Sequence, residues 1–263
     1  MSKADIGIFG GTGFYSLLED VEEIAMDTPY RFPSDKVALG TYKGKRLAFI
    51  ARHGKSHALP PHMINYRANV WAMKELGVKY IISPAAAGSL QRNIKPGEFV
   101  VVDQFVDRTT GRRDTFYDEA PVTHMPGAEP ICPNMRALAI DALTQHNLPH
   151  HETGTAVVIQ GPRFSTKAES MWFTQMGWEV INMTLYPEVI LARELEMAFV
   201  NISLITDYDS GFDGEFPPVT AEEAIKVFMA NTDKLKQVVF SMVDALDITM
   251  DSPAHAALEL ARF

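Results

Sequence analysis

Glu179-Val180-Ile181-Asn182-Met183-Thr184-Leu185-Tyr186-Pro187-Glu188 constrains this chain more than any other stretch. It reads as the end of a buried strand, a tight polar turn, and a helix opened by Pro187. Proline suits the first helical position because its missing N–H would lack a partner there, and Glu188 complements the positive end of the helix dipole. Such strand–turn–helix units build α/β sheets, and small molecules in open α/β sheets bind at the carboxyl ends of strands. Asn182, Met183 and Thr184 are thereby placed to face a ligand. On this stretch alone, a buried asparagine and a threonine that caps the next helix explain the pattern equally well.

The other unusual stretches also follow apolar strands. Ile6-Gly7-Ile8-Phe9 leads into Gly10-Gly11-Thr12-Gly13 and a helix, a turn whose backbone N–H groups can approach phosphate closely. A dinucleotide fold would place a third glycine where Ser16 stands, and no clear acidic residue ends a second strand about twenty positions on. Val37–Tyr42 and Arg46–Ala51 flank Lys43-Gly44-Lys45 and predict an antiparallel hairpin, with Arg52-His53-Gly54 at its end and His57 close behind. Arginine offers phosphate a planar fork, and histidine can donate a second bond. Apolar spacing predicts a helix from His62 to Leu76, ended by Gly77, with Trp71 in the core.

The strand Lys79–Ile82 precedes a small-residue turn, Ser83-Pro84-Ala85-Ala86-Ala87-Gly88-Ser89-Leu90, that permits close backbone approach to a flat or anionic group. Phe99–Val102 is a strand, and the polar region from Gly111 to Cys132, with His124, is long enough to suggest a functional loop or an interface. A helix from Pro133 to His146, a strand from Gly154 to Ile159 and a helix from Thr166 to Met176 surround Gln160-Gly161-Pro162-Arg163-Phe164-Ser165. Phe164 there either stacks on a base or plugs the core. Ala198–Ile205 is the last strand and ends in Thr206-Asp207-Tyr208-Asp209, whose two carboxylates share a face while the chain stays extended. Glu222–Leu246 reads as a long amphipathic helix, and the tail as a surface helix.

No linker or repeat divides the 263 residues, so a single domain spanning 1–263 is expected. The net charge of −9 argues against nucleic-acid and anionic-membrane partners and leaves any anionic substrate to local cations and backbone donors. Cys132 is the single cysteine, which excludes an intramolecular disulfide and a cysteine-based zinc cluster. The N-terminus carries no signal-peptide pattern and no apolar run reaches membrane-spanning length, so a cytoplasmic protein is expected.

Gly10–Gly13, Arg52-His53-Gly54, Gly161–Ser165, Asn182-Met183-Thr184 with Pro187-Glu188, and Thr206–Asp209 occur in one order from about Ile6 to Leu246. That ordered set resembles the trimeric purine nucleoside phosphorylase family, and within it the S-methyl-5′-thioadenosine phosphorylases. The resemblance implies a single α/β domain with a distorted central mixed sheet flanked by helices. It implies phosphate held by Thr12, Arg52, His53, the backbone at Ala85, and Thr184. Met183 would contact the ribose, with Asn182 and Ala86 lining the substrate pocket. Phe164 would pack on the base beside Ser165, and Asp207 and Asp209 would bind its edge as the catalytic pair. His124 matches a position that an adjacent subunit contributes, which implies a homotrimer. Phosphate is a co-substrate, and neither metal nor organic cofactor is required. Two departures stand out: Pro84–Ala87 where these enzymes commonly carry threonines, and Leu185-Tyr186 ahead of the proline-glutamate pair.

The expected reaction is phosphorolysis of 5′-methylthioadenosine to adenine and 5-methylthioribose 1-phosphate. Its nearest alternative is the same reaction on 6-oxopurine nucleosides or 5′-methylthioinosine, which the two aspartates disfavour. A nicotinamide-dependent oxidoreductase lacks its fingerprint here, and a non-catalytic nucleoside binder would not need the phosphate ligands.

Overall fold

Every residue of β1 (Ile6–Gly10) is buried, as expected for a strand covered on both faces. The computed structural model describes residues 3–10, 18–55, 57–212, 215–259 and 261. Around β1 one mixed sheet assembles from β2 (Glu19–Ile24), β3 (Val37–Tyr42), β4 (Lys45–Ala51), β5 (Tyr80–Ser89), β6 (Phe99–Val101), β7 (Gln104–Arg108), β8 (His150–His151), β9 (Thr155–Ile159), β10 (Val180–Asn182) and β11 (Ala198–Asp207). The strands run in the order β2-β3-β4-β1-β5-β10-β9-β7, and β11 branches from β5 to carry β6 and β8. Parallel pairs (β1 with β4 and β5, β5 with β11, β9 with β10 and β7) dominate the centre, while β2-β3, β3-β4, β5-β10 and β6-β11 are antiparallel.

The period-two alternation of strand side chains sorts the core into two layers. Ile6, Ile8, Leu47, Phe49, Val200, Ile202 and Leu204 pack with α2 (Pro133–Gln145) and α5 (Ala221–Ala245). Phe9, Ala48, Ile50, Phe199 and Ile205 pack on the other face with α1 (Tyr66–Leu76) and α4 (Leu185–Glu194). Between β9 and β10 runs α3 (Lys167–Gln175), whose Phe173 closes a smaller cluster with Leu90, Val157 and Ile181. The chain is thus a single α/β domain with a central mixed sheet. No helix among the described residues is long and apolar enough to cross a membrane.

Several expectations need correction. Ser83–Ser89 is not a turn after a strand but the second half of β5, because β11 supplies ladder partners as far as Gly88. The predicted helix from His62 divides into a 3-10 turn at Pro61–Met63 and α1, whose start is set by Asn65 capping the Ala68 N–H. Gln104–Arg108 pairs with β9 and is a strand, where sequence spacing indicated none. The tail is a 3-10 turn at Pro253–Ala256 tucked against the sheet, with Ser252 and Ala254 buried, and not a surface helix. Trp71 is half-buried and meets Tyr30 edge-on at 5.4 Å between ring centroids. The hairpin β3-β4 and the long helix α5 are found as expected.

The hairpin also holds the end of α5. Lys45 Nζ donates to the carbonyls of Val243, Asp244 and Leu246 at 2.6, 2.7 and 2.7 Å, which places an ammonium on the negative pole of the helix. Replacing Lys45 with methionine is expected to cost about 1–3 kcal/mol, since three orphan carbonyls lose a charged donor. Thermal unfolding should show a midpoint several degrees lower with the fold intact.

Candidate active site

β5 changes partner along its length. Tyr80–Ile82 pair with β1, and Gly88 and Ser89 pair with β10, so on that edge Ser83–Ala87 have no ladder partner among the described residues. The sheet opens there, between the carboxyl end of β1 and that of β10. Ala86 lies in this stretch and is exposed, although the rest of β5 is buried. Small side chains let the opposite walls approach the strand. Gly88 is the extreme case: a Cβ on it would lie 2.8 Å from Asp207 Oδ1 and 3.1 Å from Ile181 Cγ2. Any other residue there would displace the carboxylate.

Arg52 enters this gap from the end of β4. It is only 4% exposed, and Glu188 is 0% exposed. The guanidinium donates from Nε to Glu188 Oε2 at 2.7 Å and from Nη2 to Oε1 at 2.9 Å. Nη2 also reaches Ser83 Oγ at 2.7 Å, and Ser83 donates to Glu188 Oε1 at 2.6 Å. Burial alone lowers the Arg52 pKa, but the charge and hydrogen bonds of Glu188 outweigh it and hold the guanidinium protonated. The expected phosphate fork is therefore already engaged on two of its three nitrogens. Glu188, read from sequence as complementing a helix dipole, is the internal counter-ion of Arg52.

His53 stands beside it, stacked on His57 at 5.3 Å. Burial pulls its pKa down to about 4, so the ring is neutral near pH 7. Its Nδ1 lies 2.9 Å from the Leu59 carbonyl, which can only accept, so Nδ1 carries the proton and Nε2 is left as an acceptor.

The two aspartates sit at the end of β11, but the chain does not stay extended between them. Asp209 has φ 49°, and the turn brings its N–H onto Asp207 Oδ1 at 2.8 Å. Thr206 Oγ1 lies 2.6 Å from Asp207 Oδ2 and 3.3 Å from the Ala87 carbonyl, with one hydroxyl proton to serve either. Burial raises the pKa of Asp207, against those two hydrogen bonds and with help from the nearby Asp209 charge. Burial likewise raises Asp209, opposed by the hydroxyls of Ser170 and Ser165. Those hydroxyls approach without completing the set: Asp209 Oδ2, Ser165 Oγ and Asn182 Nδ2 are buried polar atoms with no hydrogen-bond partner. Buried polar atoms are rarely left unpaired, and three here belong to the sequence-predicted pocket.

The remaining expected residues divide clearly. Thr184 is buried and its side chain does not cap α4, so its hydroxyl is not consumed by the helix. Tyr186 is extended (φ −101°, ψ 135°), and the helix proper begins at Pro187 as the sequence indicated. Phe164 is 40% exposed, which rules out the core plug. Met183 packs its sulfur against Gly161, where a Cβ would come within 2.7 Å of it. Ala85 is buried on the unpaired edge. His124 is exposed on the loop after β7, its N–H donating to Ala261 O at 2.8 Å. Thr12 lies outside the described residues, in the segment after Gly10. Among the described residues no cluster of three His, Cys, Asp or Glu is arranged to hold a metal ion.

A buried Arg52–Glu188 pair, a half-buried Asp207 and a buried Asp209 thus stand at strand ends of one α/β sheet. Residues 5–244 match the Phosphorylase superfamily, and the chain belongs to that family. It is 46% identical to the purine nucleoside phosphorylase of Streptomyces coelicolor, over 97% of this chain and 95% of that one. It is 48% identical to the S-methyl-5′-thioadenosine phosphorylase of Thermofilum pendens, over 94% of each. A methylthioadenosine phosphorylase sourced from an antarctic soil metagenomic library superposes with a TM-score of 0.93 at 39% identity, covering 100% of this chain and 93% of that one. Methylthioadenosine phosphorylase from Schistosoma mansoni in complex with adenine superposes at 0.90 with 35% identity, covering 99% of each chain.

Removing the charge of Glu188 would strand Arg52 in the interior. Glu188→Gln is expected to destabilise the fold by about 3–5 kcal/mol, the usual cost of breaking a buried pair by one partner. Urea unfolding would show a lower midpoint.

Proposed function

We propose that this chain catalyses the phosphorolysis of 5′-methylthioadenosine to adenine and 5-methylthioribose 1-phosphate. The observation that carries the reading is the buried Asp209 Oδ2, without a hydrogen-bond partner, beside an Asp207 whose pKa burial raises. An unpaired carboxylate oxygen suits the exocyclic amino group of adenine and repels a 6-oxo group. The names of the Thermofilum relative and of both solved structures support the same reading.

In this proposal phosphate lies between Arg52, the Thr12 loop, the backbone at Ala85, and Thr184. Arg52 Nη1, the nitrogen not engaged by Glu188, would face it, and neutral His53 would accept from a protonated phosphate oxygen through Nε2. Holding a phosphate oxygen beneath the anomeric carbon supplies the nucleophile and stabilises the oxocarbenium character of the ribose. Met183, Asn182 and Ala86 would line the ribose, while Phe164 and Ser165 pack on the base. The departing purine needs a proton at its imidazole nitrogen. Asp207 would supply it from its neutral form, and Thr206 is then free to donate to Ala87 O. Phosphate is the co-substrate, and no cofactor enters these steps. We further place His124 in the 5′ pocket of a neighbouring subunit of a homotrimer, a cytoplasmic enzyme with one domain over residues 1–263.

The second reading is phosphorolysis of 6-oxopurine nucleosides. It is favoured by the name of the Streptomyces relative and by Ala85, which leaves only backbone donors on that side of the phosphate. Chromatographic assay of base release from methylthioadenosine, methylthioinosine, adenosine and inosine, with and without phosphate, separates the two. Phosphate-dependent adenine release, fastest from methylthioadenosine, supports the first; preferential hypoxanthine release supports the second. Release without phosphate rejects both.

The pH dependence follows from the raised Asp207. Its proton is present below the folded pKa and lost as pH rises through it, so kcat should fall on the alkaline side. Asp207→Asn should lower kcat for adenine release about 100-fold or more, and that alkaline limb should vanish, since an amide does not titrate there. Unchanged adenine release in this variant would reject Asp207 as proton donor.

A further inference from the structure

Arg112, on the loop after β7, takes no part in the chemistry above, yet it touches both walls of the cleft. Its Nη2 donates to the Met183 carbonyl at 2.9 Å and to the Gln160 carbonyl at 3.0 Å, with Ile159 O at 3.4 Å. Its Nη1 donates to the Tyr186 carbonyl and to Tyr66 Oη at 3.3 Å, and its Nε to Gln160 Oε1 at 3.2 Å. The guanidinium lies over the Tyr66 ring, 5.3 Å from its centroid. Gln160 in turn holds the Arg112 loop, accepting from Thr110 N–H at 3.0 Å and donating to Thr110 O at 2.9 Å.

A guanidinium has five N–H donors, and all five are engaged here by neutral oxygens. None is left for a substrate, so Arg112 cannot act as a phosphate ligand in this arrangement. What it does is join by hydrogen bonds two segments that otherwise meet through the packing of Met183 on Gly161: the Gln160–Ser165 loop and the Met183–Tyr186 turn. A trans peptide points its C=O and N–H in opposite directions. Binding the Met183 carbonyl therefore fixes the opposed direction of the Thr184 N–H, and binding the Gln160 carbonyl fixes the Gly161 peptide in the same way. A planar fork can satisfy several converging carbonyls at once, which an ammonium cannot.

We propose that Arg112 is a positioning residue that locks the base-binding loop and the ribose–phosphate turn into one register. The inference rests on the reaction proposed above for its kinetic consequences, though not for its structural ones. The test compares Arg112→Ala and Arg112→Lys with the unaltered protein by steady-state kinetics on methylthioadenosine and phosphate, with and without added guanidinium ion at sub-denaturing concentration. Amide hydrogen exchange over residues 160–165 and 182–186 is measured in the same three proteins without substrate.

Arg112→Ala should lower kcat/KM for the nucleoside about 100-fold, as expected when reacting groups are misplaced by roughly an ångström. Guanidinium ion should restore part of that loss, and Arg112→Lys should fall nearly as far because it keeps the charge and loses the fork. Exchange should quicken in both segments together. Wild-type kcat/KM in Arg112→Lys, or a folded Arg112→Ala that guanidinium does not rescue, would overturn the proposal. So would unchanged exchange in the two segments. Should Arg112→Ala fail to fold, the lysine variant decides by the same readings. If the unaltered protein releases no base from any nucleoside, the reaction assignment fails, and exchange alone decides whether Arg112 couples the segments.

Discussion

The site depends on β5 leaving one neighbour before it acquires the next. A central strand in a parallel sheet is normally hydrogen-bonded on both edges, and an unpaired stretch is tolerated only where something else satisfies it. Here the gap runs from Ser83 to Ala87, bounded by the end of the β1 ladder and the start of the β10 ladder. Every residue in it is small or is proline, so none of its own side chains fills the opening, which the carboxyl ends of β1 and β10 bound and Arg52, after β4, reaches at Ser83. A sheet with a regular β5 would have no cleft, and the motifs after those strands would be separate surface turns.

Two buried electrostatic arrangements flank the gap and do opposite things. Arg52 and Glu188 are mutually neutralised, with Ser83 bridging them, so the cation is kept charged and stationary in the interior. Such a pair contributes little net stability but fixes geometry, since neither partner can leave without exposing the other to a large desolvation cost. Asp207 and Asp209 have no cationic partner among the described residues. Burial and mutual repulsion favour a proton on Asp207, and burial also raises Asp209. In the proposed reaction the first arrangement would hold the phosphate and the second would keep a proton available for the departing base.

Arg112 adds a third element, binding the two loops to each other where neither ladder reaches. Its five donors and six oxygen contacts replace the hydrogen bonds that a regular sheet would have supplied between β9 and β10 beyond Asn182.

Much of this was legible in the sequence. Buried strands such as Ile6–Phe9 and Ala198–Ile205 are predominantly apolar, the hairpin carries its own turn, and the motifs after the strands have a residue order that points to one family. Those features are local, set by side-chain hydrophobicity, turn geometry and spacing. What the tertiary structure alone decided is non-local. Ser83–Ser89 has a turn's composition and becomes a strand because β11 offers it hydrogen bonds. Asp207 and Asp209 look like neighbours on one face, yet a left-handed residue folds one back onto the other. Glu188 looks like a dipole cap and is the counter-ion of an arginine 136 residues away. Arg112 had no signal beyond its place in a long loop. Ladder partners, counter-ions and convergent carbonyls come from distant parts of the chain, and no spacing within the sequence records which of them will meet.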